Sequence, residues 1–89
     1  MLNQDIYDLL EKEFEKNGIE EDVEEILLDM AEALADQGIM DKEVRLKESY
    51  GKTPVEVTGI CSVEEGEETV LIKTLKIGKK EFVIEDYFL

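Results

Sequence analysis

Residues 55–88, VEVTGICSVEEGEETVLIKTLKIGKKEFVIEDYF, are rich in Val, Ile, Thr and Phe and are broken twice, at Glu65-Gly66 and at Gly78-Lys79. β-Branched and aromatic side chains favour a pleated backbone, and a two-residue break containing glycine supplies the positive φ of a tight hairpin. The stretch predicts three strands, 55–63, 69–77 and 81–88, running as an antiparallel meander. In the middle strand strict alternation sets Val70 and Ile72 against Leu71, Leu75 and Ile77; in the last it sets Phe82, Ile84 and Phe88 against Val83, Tyr87 and Leu89. Both faces come out apolar, so one is expected to be covered within the chain and the other by a second chain. Gly59 marks a bulge or a close backbone contact, with Ile60 free to fall on either face.

Just upstream, Val44 and Leu46 alternate with Glu43, Arg45 and Lys47, which predicts a short edge strand, with a short third helix as the alternative over 42–48. Gly51 to Pro54 separates this segment from the meander. Further upstream the apolar period lengthens. Leu2, Ile6, Leu9, Leu10 and Phe14 recur at intervals of three and four, predicting a helix from about Asn3 or Asp5 to Asn17. Gly18 is placed to end it in a left-handed C′ position, with Ile19 as the hydrophobic residue that follows. A second helix is expected almost at once, with Glu20, Glu21 and Asp22 in its first turn and Val23, Ile26, Leu27, Met30 and Leu34 as its buried stripe. Leu28, Ala31 and Ala35 widen that stripe, and Gly38-Ile39 repeats the first ending. Helices joined by two to four residues fold back on each other as an αα-hairpin. The whole chain, 1–89, reads as one α+β domain: an N-terminal αα-hairpin (1–40) packed on an antiparallel three- to four-stranded β-meander (41–89).

Of the 89 residues 43% are hydrophobic, an ordinary globular fraction, so high charge does not here imply disorder. With 24 acids and 10 bases the formal charge is −14, beyond the magnitude of ~2–8 that keeps a small domain soluble. The excess is uneven, net −11 over residues 1–40 and −3 over 41–89. From Asn17 to Asp41 there are nine carboxylates and no Lys or Arg. On a helix, Glu21–Glu25, Glu25–Asp29 and Glu32–Asp36 are like-charge i, i+4 pairs, joined by Asp29–Glu32 at i, i+3, each destabilising by ~0.2–0.5 kcal/mol. Such a field repels phosphate backbones and anionic lipid headgroups, so neither direct nucleic-acid binding nor a membrane is expected, whereas a basic protein surface is attracted. A DNA-reading helix-turn-helix fits the spacing but not the charge.

Catalytic chemistry is sparse. The chain has no histidine, which removes the commonest general base and transition-metal ligand. Cys61, between Ile60 and Ser62 in a strand, has no partner to activate it and reads as a small buried hydrophobe. Gly51-Lys52-Thr53 lacks the upstream glycine of a phosphate loop, and Pro54 opposes a helix starting there. Glu64-Glu65-Gly66-Glu67-Glu68 lacks the ligand spacing of a calcium loop and reads as a solvated hairpin tip. No enzyme, catalytic residue, metal or cofactor is expected. One cysteine, no signal-like segment before the first amphipathic helix, and no apolar run near the ~18–20 residues that span a bilayer point to a cytoplasmic protein.

The candidate site is therefore the acidic stripe, Glu21, Glu25, Asp29, Glu32 and Asp36, as a partner-binding surface. Carboxylates projecting every ~5–6 Å along a helix can imitate the charge of a nucleic-acid backbone and fill a basic groove. Small phage-encoded inhibitors and other DNA-mimic proteins do so as a broad class, although no residue motif here matches a particular family. The expectation is a small acidic binding protein of that inhibitor type, docking on a basic protein surface such as that of a nucleic-acid-binding protein. The alternative is a homo-oligomeric structural or accessory protein, a homodimer through its sheet, whose acid is only solvating.

Overall fold

Asn3 caps the first helix. Its backbone is extended, φ −60° and ψ 136°, and its side chain accepts the Asp5 N–H at 2.8 Å. The computed structural model describes residues 3–88, in which α1 spans Gln4–Lys16 and α2 spans Val23–Asp36. Leu2 and Leu89, assigned by the sequence to the α1 stripe and to the face of Val83 and Tyr87, lie outside the described residues. Gly18, at φ 74°, ends α1 as its position predicts. Its N–H bonds Glu15 O at 3.1 Å, and the Ile19 N–H reaches back to Phe14 O at 2.8 Å as Ile19 becomes buried.

That turn consumes chain. The helices are joined by residues 17–22, not by two to four residues, and Asp22 is extended (φ −65°, ψ 139°) as the N-cap of α2. Glu20 and Glu21 therefore precede the helix instead of filling its first turn. At the other end Gly38 again takes a positive φ, 70°, and donates to Ala35 O at 3.1 Å. Ile39, however, is 41% exposed, so the second ending lacks the hydrophobic closure of the first.

Four strands follow, β1 (Glu43–Tyr50), β2 (Thr53–Glu64), β3 (Glu67–Ile77) and β4 (Lys80–Phe88), each antiparallel to the next in the order β1-β2-β3-β4. The alternation at 43–47 is thus an edge strand, and the third helix does not form. In the β2–β3 turn Glu65 and Gly66 are both left-handed, at φ 51° and 80°, the twist that a two-residue hairpin requires.

Strict alternation misassigns one face of β3. Thr58 pairs with Thr74 but Gly59 pairs with Ile72, leaving Lys73 as an extra residue. A bulge of this kind resets the side-chain alternation, so Leu75 and Ile77 join Val70 and Ile72 on the inner face instead of opposing them. All four are inaccessible to solvent. Val55, Val57, Cys61, Phe82 and Ile84 complete that face, with Val44, Leu46, Tyr50 and Phe88 at its margin. Ile60 pairs with Leu71 on the outer face, which is consequently less apolar than the sequence suggests.

α2 lies across all four strands and buries Val23, Ile26, Leu27, Met30, Ala31 and Leu34. α1 packs on α2 and fully buries only Leu10 and Phe14, while Ile6 is half-buried and Leu9 is 51% exposed. Leu28 also turns outward: it stands two residues from both Ile26 and Met30, about 200° around the helix from each. Of the two roles expected for Gly59 it takes the close contact, and it lies opposite the bulge, whose extra residue is Lys73 on β3. A Cβ there would stand 2.9 Å from Leu34 Cδ1 and 2.6 Å from the Leu71 carbonyl oxygen, so the missing side chain is what lets α2 settle onto β2.

Candidate functional site

With Ile26, Leu27, Met30 and Leu34 turned to the sheet, Glu25, Asp29, Glu32 and Asp36 necessarily line the solvent side of α2, and all four are exposed. At 1.5 Å rise per residue the row is ~16 Å long, roughly one charge per 5.5 Å. The fifth candidate, Glu21, is exposed but lies one residue ahead of the N-cap, so Glu21–Glu25 is not a pair within the helix. Among the described residues none of the five enters an ion pair or a side-chain hydrogen bond. Three cations of the sheet are engaged with other acids. Lys73 Nζ is 3.5 Å from Glu43, Arg45 Nε is 3.5 Å from Glu56, and Lys80 Nζ is 3.9 Å from Glu13 and 5.4 Å from the centre of the Phe82 ring.

Glu21 also belongs to a second feature. Where the two helices join, an open groove of about 440 Å³ has a floor of Phe14, Ile19 and Val23 and a rim of Glu11, Glu15, Glu20, Glu21 and Asp22. Of that rim the sequence singled out only Glu21 as a site residue; Glu11 and Glu15 come from α1, and only tertiary packing sets them beside the interhelical loop. Tyr7 donates its hydroxyl to Asp22 Oδ1 at 3.0 Å. That hydrogen bond, followed by desolvation and the charges of Asp22, Glu11 and Glu24, pushes the Tyr7 phenol up to about 12. Tyr50, at the end of β1, is also raised, first by burial and then by Glu48, Asp29 and Glu21. The field of the acidic stripe thus reaches the sheet.

The remaining candidates are plainer. Cys61 is 1% exposed, and burial, with the charge of Glu68, pushes its thiol up, which lowers its thiolate fraction. Glu64, Glu65, Glu67 and Glu68 are exposed around the β2–β3 turn. The Asp41 N–H bonds Cys61 O at 2.7 Å, so this acidic turn projects beyond the segment that follows α2. Among the described residues no three His, Cys, Asp or Glu side chains gather to hold a metal ion, and no helix is long and apolar enough to cross a membrane. Comparison with family models, with curated proteins and with solved structures found no match. What the surface offers chemically is fixed negative charge, held on one rigid helix and at one apolar-floored groove.

Proposed function

We propose that this chain is a non-enzymatic docking protein whose acidic helical layer seats on a basic surface of another protein. One observation carries the reading: the exposed row Glu25, Asp29, Glu32 and Asp36 has no cation of its own among the described residues, since α2 itself holds no Lys or Arg and the ion pairs found, at Arg45, Lys73 and Lys80, all go to other acids. Each unpaired neighbour contact costs the helix ~0.2–0.5 kcal/mol, and a cationic partner relieves it.

Spacing narrows the kind of target. A charge every ~5.5 Å is sparser than the ~3.4 Å per phosphate of a DNA strand. The row is thus a partial mimic, with Glu20, Glu21 and Asp22 raising the density at one end. The target class it suits is a protein with a basic groove, such as a nucleic-acid-binding protein held in check by an inhibitor. Nucleic acid itself is disfavoured by the net charge of −14. Leu28, 41% exposed beside Glu25 and Glu32, provides an apolar contact within the charge, and the groove floor suits the aliphatic stem of a Lys or Arg. Charge would set the association rate, and these apolar contacts the specificity.

The test is affinity capture at low and high salt with the wild type and with the double variant Glu25→Lys, Glu32→Lys, followed by competition with duplex DNA. Capture should weaken steeply with salt, vanish in the double variant and yield to DNA. Equal capture by both proteins at low ionic strength would reduce the stripe to a solvated surface.

A further inference from the structure

The outer face of the sheet carries a charge order that matches its own reverse. One row across the four strands runs Lys47, Glu56, Lys76, Glu81 in register. Each of these side chains points outward, since its chain neighbours Leu46, Val55, Val57, Leu75, Ile77 and Phe82 belong to the inner face. Reading the row from β4 back to β1 exchanges every sign. A two-fold axis lying between two facing sheets, parallel to the strands and midway between β2 and β3, performs that reversal: it lays β1 over the β4 of the second copy and β2 over its β3. Lys47 then faces Glu81 and Glu56 faces Lys76 at every position of the row.

The rows beside it reverse less completely. Glu43, Ile60, Leu71 and Tyr87 align across the four strands, and the same axis places Ile60 over Leu71 and Glu43 over the exposed Tyr87. At the end near the β2–β3 turn it sets Glu64 over Glu67, a like-charge contact that the rest of the face has to outweigh. In the intervening row Thr58 meets Thr74, and Val83 meets the stem of Arg45. Val83 and Tyr87 are 60% and 61% exposed, so there is apolar area to cover. Four strands of about ten residues present roughly 600–700 Å², close to the ~800 Å² per partner of a standard interface.

The geometry points to a second copy of this chain as the occupant, in an isologous dimer joined through the outer sheet faces. This face has Arg45, Lys47, Lys73 and Lys76 against Glu43, Glu56, Glu64, Glu67 and Glu81, so two chains of net charge −14 meet on ground far less acidic than their helical layers. Both acidic helical layers remain on the outside. The assembly is independent of the docking reading, since it uses the opposite layer of the molecule.

Compensating charge exchange, read by sedimentation equilibrium, tests it. Wild type should have twice the chain mass at micromolar concentration. Lys47→Glu alone, or Glu81→Lys alone, puts like charges together at two symmetric places and should raise the dimer dissociation constant about tenfold or more. The double variant Lys47→Glu, Glu81→Lys restores opposite charges across the axis and should return it to within about threefold of wild type. Inside one chain these residues are three strand spacings apart, ~14 Å, beyond the ~8–10 Å screening length of physiological salt, so rescue requires the second copy. Unchanged circular dichroism shows that the variants fold, both sites being exposed. A monomer at all concentrations, an assembly that grows without closing, or single and double variants that simply add would each overturn the proposal; the first would leave the face to a different protein. Glu25→Lys with Glu32→Lys should leave this equilibrium in place even where it abolishes docking, which separates the two readings.

Discussion

Leu34 of α2 and Gly59 of β2 meet so closely that a Cβ on the glycine would lie 2.9 Å from Leu34 Cδ1. The Leu71 carbonyl oxygen, at 2.6 Å from the same point, belongs to the paired strand and has no side-chain freedom with which to yield. Gly59→Ala should therefore destabilise by ~1–3 kcal/mol, the usual range for overpacking, despite the ~0.5–1 kcal/mol that alanine regains in backbone entropy. Adding Leu34→Ala should not rescue it, because the contact with Leu71 remains and a cavity is created. Thermal melts of the two variants check this, and a rescued double variant would place the strain in the helix contact alone.

A second expectation concerns alkaline pH. The Tyr7 phenol is raised to about 12 by its bond to Asp22, against ~10 in an unfolded chain. The sign follows from linkage: above pH 10 the unfolded chain loses this proton first, so the contribution is complete below pH 10 and is lost as pH rises through about 12. Tyr7→Phe should flatten the fall in stability across that window and remove the corresponding step from an ultraviolet phenolate titration. An unaltered titration would mean that Tyr7 does not hold this bond in solution.

Charge reversal on α2 should stabilise the isolated protein. Glu32→Lys turns repulsion with Asp29 at i−3 and Asp36 at i+4 into attraction, a gain of about 0.5–1 kcal/mol. Glu25→Lys should gain less, because it relieves only Asp29 within the helix and puts a cation near the positive end of the helix dipole. Moderate salt should raise the melting temperature of the wild type more than that of Glu32→Lys. Melts insensitive to salt, with both reversals destabilising, would require cationic partners for these acids within the fold.

Cys61 provides a reporter of unfolding. At 1% exposure with a raised thiol, it should react slowly with a thiol reagent at neutral pH and fully in denaturant, the native rate tracking the open population. Fast native labelling would show that β2 opens locally. No substitution is needed for this measurement, since it is the chain's one cysteine.

Local chemistry determined much of this protein in advance. The change from three-and-four spacing to alternation divides helices from strands, and Gly18, Gly66 and Gly78 take the positive φ that their turns require. The acidic line on α2 followed from the same periodicity: once Ile26, Leu27, Met30 and Leu34 are buried, residues at 25, 29, 32 and 36 have only solvent to face. Tertiary structure decided the rest. The bulge at Lys73 arises from pairing with β2, so nothing within 69–77 announces that Leu75 and Ile77 share a face with Val70. The groove rim unites Glu11 and Glu15 with Glu20 and Asp22 through the packing of one helix on the other. Leu9 and Leu28 satisfy helical spacing yet stay exposed, because a helix stripe is buried only as widely as its neighbours reach. The sign-reversing row on the outer face exists only through register, since Lys47, Glu56, Lys76 and Glu81 lie on four different strands and no local rule relates them.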